Sequence, residues 1–320
     1  MTSRENFLNF FRGKPYDFIP SSFDTVKFLP AMIPENVARG MIRQQLPFDT
    51  SAYGGRGFFD IDWQYDPVAK GSIDTKPFYS DIDDLENWEQ DIPFPDYAQF
   101  DWEGCQKENA RFLEENQNKL IGSTIFSGFF ERLISFVGFE NAAICLIDDE
   151  YTDTVKAIFD KLADNYIEYI RYLHKYFRVE FIELHDDWGS QRAPMISATL
   201  HRELICPYIK KVVDACHQMG LIYDQHSCGF VEPLIPALIE TGADTWRGQP
   251  INDKLTLVRE YGDRFHFAVS MQPPTPISDD EALILAKNFL RDYKDKRVWV
   301  FLHPILSEKQ KHIIMDQLYA

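Results

Sequence analysis

The sequence lacks three features that mark common protein classes. It contains no run of lysine and arginine, and its net charge is −17, which argues against nucleic-acid binding through clustered cations. No segment approaches the roughly 20 apolar residues of a membrane-spanning helix. The N-terminal stretch MTSRENFLNFFRGK is charged and aromatic, so we expect no secretory signal and a cytoplasmic protein. The acidic charge suits solubility or a partner with a basic docking face.

Cysteine is scarce and is not arranged in a metal-binding or disulfide framework. The five cysteines form no Cys-x-x-Cys pair, and their number is odd. In a cytoplasmic protein we expect them to be reduced. Cys228 is the one with a functional context, whereas the others lie in apolar or helical segments: Cys105, Cys145, Cys206 and Cys216.

A glycine-rich phosphate loop after a first strand, typical of a doubly wound open sheet, is also missing. The chain instead alternates strands and helices from about residue 106 onward. Five strands are predicted after Phe177, and earlier candidates lie at 119–126 and near Phe18. Such alternation indicates parallel βα units. We therefore predict an α/β fold, a (β/α)₈ TIM barrel with an irregular N-terminal elaboration, with the doubly wound sheet as the alternative.

The whole chain, residues 1–320, is predicted to form one domain, since α/β barrels use about 250 residues or more. Residues 1–105 are irregular and contain the first barrel elements, whereas 106–320 hold the regular βα units. A helix is predicted over TSRENFLNFFRG, capped by Thr2 or Ser3. Ser278 and Glu281 predict a capping box before a helix at 279–294.

Polar residues accumulate at the ends of five consecutive strands: HDDWGSQ, DQHSCG, TWRGQ, SMQPP and LHP. A barrel brings these strand ends together on one face. Asp, Ser and Gly also serve as ordinary helix caps in a single βα loop. Five such loops in succession favour a functional site.

The sharpest motif is His226-Ser227-Cys228-Gly229. Residues two apart on a strand project to the same side, so the imidazole and the thiol of His226 and Cys228 both point into the barrel mouth. This nitrogen and sulfur pair suits Zn²⁺. A buried cysteine without a metal is the alternative, but the position at a strand end favours a metal site.

Three carboxylates lie near the preceding strand end and are candidate catalytic residues: Glu183, Asp186 and Asp187. By alternation Glu183, His185 and Asp187 share one face, so at least one carboxylate faces the pocket. The roles open to them are metal ligand, acid/base and substrate hydrogen bonding. A salt bridge to Arg192 or capping of the next turn is the structural alternative.

Aromatic residues near the strand ends suggest a substrate pocket. Trp188, Trp246 and Phe126 are candidate walls, and Gln249 is a candidate polar contact. Large aromatic side chains at strand ends are, however, equally often part of the core.

Five runs of sequence resemble the uroporphyrinogen decarboxylase superfamily: TSRENFLNFFRGKPYDFIP, FSGFFERLISFVGFENA, DDWGSQRAPMIS, HSCG and TWRGQPINDK. They are most similar to its corrinoid-protein methyltransferase branch, which includes the first methyltransferases of anaerobic O-demethylase systems. DDWGSQ and HSCG are the most specific runs. The resemblance implies a barrel that uses zinc to transfer a methyl group from a small methylated substrate, methoxylated and aromatic, to the cobalt of a separate corrinoid protein.

The sequence departs from that superfamily in two places. The decarboxylases hold substrate carboxylates with an arginine-rich N-terminal motif, whereas SSFDTVKFLPAMIPENVARG has no paired arginines near its start; a polycarboxylate needs several cationic partners. The zinc methyltransferases also carry a later cysteine, but none follows Cys228. His303 takes that position and is our predicted third ligand. Candidates to complete the shell are Glu183, Asp187, Asp224 and Gln249.

Other functions stay open at this stage. A decarboxylase or lyase would use the carboxylates without a metal. A methylcorrinoid:thiol methyltransferase would bind a thiolate substrate on zinc. The missing third cysteine also allows a binding protein without catalytic activity.

Overall fold

The structure, a computed structural model, describes residues 1–68 and 70–320. Short strands are interspersed with helices along the described chain. The strands, in chain order, are β1 (Thr25–Lys27), β2 (Gly55–Arg56), β3 (Asp62–Asp66), β4 (Gly71–Asp74), β5 (Leu120–Ile125), β6 (Phe181–His185), β7 (Ile222–Ser227), β8 (Thr245–Gly248), β9 (His266–Met271) and β10 (Val298–Leu302).

Helices occupy most of the connections between these strands. In chain order they are α1 (Ser3–Phe11), α2 (Pro34–Ala38), α3 (Trp88–Asp91), α4 (Trp102–Glu108), α5 (Ala110–Glu115), α6 (Phe129–Val137), α7 (Phe139–Cys145), α8 (Asp149–Phe177), α9 (Ala198–Leu200), α10 (Cys206–Gln218), α11 (Ile235–Glu240), α12 (Lys254–Tyr261), α13 (Asp279–Tyr293) and α14 (Glu308–Leu318). A π-helical segment joins α9 to α10.

The central element is a curled parallel sheet with the strand order β1-β5-β6-β7-β8-β9-β10. Its register places His185 of β6 beside His226 of β7, and His226 beside Arg247 of β8. Because the strands are parallel, their carboxyl ends meet at one edge of the sheet. The polar residues that end β6, β7 and β8 are therefore neighbours in space.

The predicted α/β fold with parallel βα units is confirmed, but the sheet has seven strands within the described residues rather than eight. Residues 14–20 form no strand there, although one was predicted near Phe18. A single parallel bridge joins Ser21 to Val300, whose N–H donates to the oxygen of Pro20 (2.9 Å). Pro20 has no N–H with which to extend the ladder. A 3₁₀ turn at Ser22–Asp24 then interrupts the pairing before β1.

The N-terminal part contains regular structure that the sequence did not predict. Strands β2, β3 and β4 form a separate antiparallel sheet. The backbone N–H groups of Phe78 and Tyr79 donate to the oxygens of Ser135 and Phe136 in α6. This part is thereby attached to the helix that follows β5.

Helix α1 covers the amino end of the central sheet. Of the two predicted caps, Thr2 is the one used, and it forms a capping box in which Thr2 Oγ1 accepts from Glu5 N and the Glu5 carboxylate accepts from Thr2 N. Phe7 of α1 lies against the rings of Phe181 (5.8 Å) and Trp299 (5.9 Å). The apolar cluster below the sheet includes the following buried residues: Phe7, Leu8, Phe10, Leu120, Phe181, Ile222, Ala268 and Trp299.

The longer helices follow the apolar periodicity of the sequence. The helix predicted over 153–177 is α8, which starts four residues earlier because Asp148 accepts from Glu150 N as its cap. The capping box of Ser278 and Glu281 at the start of α13 is confirmed. Within the described residues, no helix combines the length and apolar character needed to cross a bilayer.

Candidate functional site

Four potential metal ligands lie together at the carboxyl edge of the sheet: His185, Asp187, His226 and Cys228. Each offers one ligand atom, and these atoms all lie within 4.8 Å of one another. The pairing of β6 with β7 brings the two histidines side by side. Asp187 and Cys228 each follow their histidine by two residues, so alternation directs them to the same side.

Hydrogen bonds and two glycines hold the two strand ends in this arrangement. The N–H of Cys228 donates to Asp187 Oδ1 (2.6 Å), and the N–H of Trp188 donates to Ser227 Oγ (2.9 Å). Gly229 has a φ of 74°, and a Cβ there would lie 2.1 Å from the oxygen of Gly189. The motifs DDWG and HSCG are therefore packed on each other through their glycines.

Two separations within the donor set are close to those of a tetrahedral zinc site. Zn–N, Zn–O and Zn–S bonds of about 2.0–2.3 Å separate neighbouring donors by roughly 3.4–3.6 Å. His226 Nε2 lies 3.4 Å from Cys228 Sγ, and His185 Nε2 lies 3.8 Å from Asp187 Oδ1. The set of two nitrogens, one sulfur and one oxygen suits zinc chemically. In addition, the buried His226 Nδ1 has no hydrogen-bond partner.

The titratable groups of the cluster have shifted pKa values. Burial disfavours the charged form of His185, but the Glu131 and Asp187 carboxylates and a hydrogen bond with Cys228 together outweigh burial and raise its pKa to about 10. Burial, together with the Arg247 and His185 charges, holds the pKa of His226 well below its usual value. Burial raises the pKa of the Cys228 thiol. Zinc binds to neutral imidazole and to thiolate. A zinc ion that binds here would therefore displace protons from His185 and Cys228.

Asp186, a predicted catalytic residue, is not part of the cluster. Its carboxylate is fully buried and accepts from the backbone N–H groups of Phe129 (2.9 Å), Phe130 (3.1 Å) and Glu131 (2.9 Å). These are the first N–H groups of α6, which have no partner within the helix. In this structure Asp186 caps α6.

A cavity of about 360 Å³ is lined in part by β6 and β8, the strands on either side of β7, although none of the four clustered residues lines it. Lys27, Glu183 and Arg247 supply its central polar groups, and Glu183 lies two residues before His185 on β6. The aromatic part of the lining comes from the following residues: Phe23, Phe181, Trp299 and Phe301. The cavity therefore combines aromatic walls with a charged centre.

Glu183, another predicted catalytic residue, is the acceptor of an ion network in this cavity. Lys27 Nζ donates to Glu183 Oε1 (2.9 Å) and to Thr124 Oγ1 (2.7 Å), and Arg247 donates to Glu183 Oε2. Burial favours the neutral acid, but the Arg247 and Lys27 cations outweigh it and hold the pKa of Glu183 well below its usual range. Glu183 is therefore an ionised carboxylate and a poor proton donor.

The predicted third ligand, His303, is not among the four clustered residues. Its ring is half-buried, and its Nδ1 accepts from the backbone N–H of Ile305 (3.2 Å). His185 takes the place that the sequence reasoning gave to His303. Of the candidates named to complete the shell, Asp187 joins the cluster.

Two of the four predicted substrate contacts are fully buried in the protein, and the other two lie near the clustered residues. Trp188 and Trp246 are fully buried, and Trp188 packs on His201 with ring centroids 4.3 Å apart. Phe126 lies beside His185, with ring centroids 5.9 Å apart, and Gln249 Oε1 accepts from Gly229 N (3.0 Å). None of these four lines the cavity described above. Their role in substrate binding stays a prediction.

Sequence reasoning missed His185 as a potential ligand and missed Lys27 and Arg247 as cavity residues. For His185 a signal existed, because His-x-Asp on one strand repeats the spacing of His-x-Cys on the next. No pattern in the sequence pointed to Lys27 or Arg247. Their roles depend on which strands become neighbours.

The sequence matches one known family. A family model described as Uroporphyrinogen decarboxylase (URO-D) matches residues 118–281, slightly more than half of the chain. All four clustered residues lie inside this span. A comparison with curated proteins found no match.

The solved structures to which this chain is similar have low sequence identity to it. A sugar phosphate isomerase/epimerase from Parabacteroides distasonis is 11% identical, with 70% of this chain and 77% of that chain covered and a TM-score of 0.37. An AP endonuclease of family 2 from Brucella melitensis is 12% identical, with coverage of 68% and 83% and a TM-score of 0.37. A D-psicose 3-epimerase is 11% identical, with coverage of 69% and 72% and a TM-score of 0.35.

Proposed function

The chain belongs to the uroporphyrinogen decarboxylase (URO-D) family, and within it we propose a zinc-dependent methyltransferase. Its substrate is a small methoxylated aromatic compound, and its methyl acceptor is the cobalt of a corrinoid carried by a partner protein. The observation that carries the proposal is the group of four ligand atoms within 4.8 Å of one another. A cavity with aromatic walls supports it, because its lining residue Glu183 lies two residues before His185 on the same strand. In this proposal the curled sheet works as a barrel, with residues 20–22 in the place of an eighth strand.

Zinc would be held by His185, Asp187, His226 and Cys228. When bound, it supplies a Lewis acid that favours negative charge on a departing oxygen. The chain itself keeps the ligands in place through the Asp187–Cys228 hydrogen bond and the paired strand ends. With Asp187 on the metal and Glu183 held ionised, neither is the main proton donor of the reaction.

The cavity suits a one-ring substrate. Its volume of about 360 Å³ lies at the low end of the roughly 300–1,000 Å³ of small-molecule sites. Phe181, Trp299 and Phe301 provide faces for an aromatic ring. Lys27 and Arg247 are paired with Glu183, but each keeps further N–H groups that can donate to an oxygen substituent. The ammonium of Lys27 is the candidate proton donor to that oxygen.

The proposed reaction breaks the methyl–oxygen bond of the substrate. The bonding electron pair stays with the oxygen, which becomes a phenol after taking a proton. The methyl group is transferred to Co(I) of the corrinoid, which supplies the electron pair of the new bond and becomes methyl-Co(III). The side chains around the cavity position the ring and limit the access of water.

A decarboxylase of the URO-D type is the second candidate, and the family match itself favours it. A porphyrinogen carries several carboxylates and needs several free cations. The cations that line the cavity are already paired, since Lys27 and Arg247 contact Glu183 and Lys311 contacts Glu308. The volume of the cavity also suits one ring better than a tetrapyrrole.

A methyl-transfer assay with the purified full chain tests the proposal. The zinc-loaded protein is incubated with 2-methoxyphenol and free Co(I) cobalamin under reducing, anaerobic conditions, and methylcobalamin is followed by its absorbance. We expect methylcobalamin to form with wild-type protein and to be lost with Cys228→Ala. The control is His303→Ala, which we expect to be active.

Two results would contradict the methyltransferase. One is the absence of zinc from protein expressed with sufficient metal. The other is release of CO₂ from a porphyrinogen with no methyl transfer from any methoxylated ring, which would support the decarboxylase. Methylation of an added thiol by methylcobalamin, without the forward reaction, would support the thiol methyltransferase.

A further inference from the structure

The two histidines of the cluster differ in how the protein holds their rings. His185 Nδ1 lies 3.1 Å from Glu131 Oε2, a carboxylate on the first turn of α6. His226 Nδ1 is buried and has no hydrogen-bond partner. The Nδ1 side of the His185 ring is therefore oriented by a charged acceptor, whereas the His226 ring has a partner only at Nε2, the Cys228 sulfur.

We propose that Glu131 is a positioning residue that fixes the ring of His185 so that Nε2 faces the metal. The proposal rests on the function proposed above. A carboxylate that accepts from Nδ1–H leaves the lone pair on Nε2. That nitrogen points toward the cluster, 3.8 Å from Asp187 Oδ1. Histidine ligands of metals commonly carry such a carboxylate on their second nitrogen.

Glu131 is itself held firmly against the end of β6. Asp186 accepts from Phe129 N, Phe130 N and Glu131 N. The N–H of Gly128 donates to the backbone oxygen of His185 (2.7 Å). The first turn of α6 is thus attached to the strand end that carries His185, and the position of Glu131 follows that of the ligand.

Gly128 makes this close approach possible. A Cβ at residue 128 would lie 2.5 Å from the Cβ of Asp186, too close for another side chain without a shift. The sequence Phe-Ser-Gly-Phe-Phe-Glu therefore serves two purposes. It brings the helix start to the strand end, and it places a glutamate three residues after the glycine beside His185.

Zinc affinity of the full chain, measured by competition with a chromophoric chelator, tests the proposal. We expect Glu131→Ala to raise the dissociation constant for zinc about 10–100-fold. Glu131→Gln keeps an acceptor oxygen and should retain more of the affinity. Glu140→Gln changes an exposed glutamate of α7 and serves as the matched control, with wild-type affinity. Circular dichroism and thermal unfolding check that each variant is folded.

A second readout responds to ring orientation and not to general loss of stability. In zinc-loaded protein labelled with ¹⁵N-histidine, two-bond ¹⁵N–¹H spectra show which ring nitrogen of His185 binds zinc and which carries a proton. We expect Nε2-bound zinc and Nδ1–H in wild type, and loss of this single pattern in Glu131→Ala. The assignment of His185 comes from the spectrum of His185→Gln.

The outcomes separate this proposal from the proposed function. Wild-type zinc affinity and an unchanged ring pattern in Glu131→Ala would overturn the positioning role and leave the metal site intact. Binding of zinc through Nδ1 of His185 in wild type would also overturn it. Failure of the wild type to bind zinc would overturn the proposed function and the positioning role with it.

Discussion

The imidazole rings of His185 and His226 stack across neighbouring strands, with centroids 4.5 Å apart and an angle of 27° between their planes. Simultaneous positive charge on both rings is unfavourable at this distance, because like charges raise each other's energy in a buried place. A shared metal ion uses the lone pairs of both rings without adding a proton to either. The stacked arrangement therefore suits one metal ion that is bound by both rings.

The first prediction concerns which residues hold zinc. Wild-type protein expressed with sufficient metal should contain about one zinc per chain, and His185→Ala and Cys228→Ala should lose most of it, because each removes one of the clustered donors. His303→Ala should keep its zinc, since that ring is outside the cluster. Elemental analysis of the three variants and the wild type measures this. Loss of zinc in His303→Ala with retention in His185→Ala would reverse the assignment.

The second prediction concerns the role of Asp186 as the cap of α6. Asp186→Ala removes the carboxylate that accepts three hydrogen bonds at the start of α6 and should lower the free energy of unfolding by about 1–3 kcal/mol. Urea denaturation measures the change. The comparison is Asp153→Ala, on the exposed side of α8, for which we expect less than about 0.5 kcal/mol. Equal effects of the two substitutions would contradict the capping role.

The third prediction concerns the ion network in the cavity. Glu183→Gln keeps the shape of the side chain but leaves Lys27 and Arg247 without their carboxylate. We expect the free energy of unfolding to fall by about 3 kcal/mol. This value is at the low end of the range for a broken buried ion pair, because Lys27 is partly exposed. Asp62→Asn, which breaks the exposed pair with Arg56, should cost less than about 1 kcal/mol. A similar loss of stability in both variants would show that the charge of Glu183 does not stabilise the fold more than an exposed ion pair does.

The fourth prediction is a pH dependence at the surface. His217 Nε2 lies 3.0 Å from Asp244 Oδ2, and this hydrogen bond raises the pKa of His217 above its usual 6.5. A raised histidine pKa stabilises the fold below about pH 6.5, and the stabilisation is lost as the pH rises through the folded-state value. Because the side chain is 41% exposed, the effect should be at most about 0.5 kcal/mol. Thermal unfolding of wild type and His217→Gln should therefore differ at pH 5.5 and converge at pH 9; a difference that grows with pH would contradict this.

Local sequence patterns predicted the parts of the fold that depend on neighbours in the chain. The apolar spacing within 153–177 and the Ser278–Glu281 box identified α8 and α13, because both signals arise within one helix. The break near Phe18 and the antiparallel sheet of β2–β4 were missed. The break near Phe18 depends on the pairing of Ser21 with the distant Val300 and on a proline that cannot donate to a ladder. Strands β2, β3 and β4 are close in sequence, but they have only two, five and four residues, which leaves little periodicity to detect.

Within the candidate site, too, the sequence predicted the residues that share one strand and not those that come from a neighbouring strand. His226 and Cys228 came from one strand, where alternation places them on one side. His185 entered the cluster through the register of β6 with β7, which a single sequence does not specify. The position of His303 at the end of the last strand suggested a ligand, yet its Nδ1 accepts from Ile305 N in the following turn.

Helix α1 has a consequence for the order of events in catalysis. Since its aromatic side chains cover the amino end of the sheet, a small substrate and a partner protein would both approach from the carboxyl edge. In the proposed function a docked partner covers the route to the cavity. We then expect the small molecule to bind first and the demethylated product to leave last. An excess of the partner protein should slow turnover, because it would block the cavity of enzyme that holds no substrate.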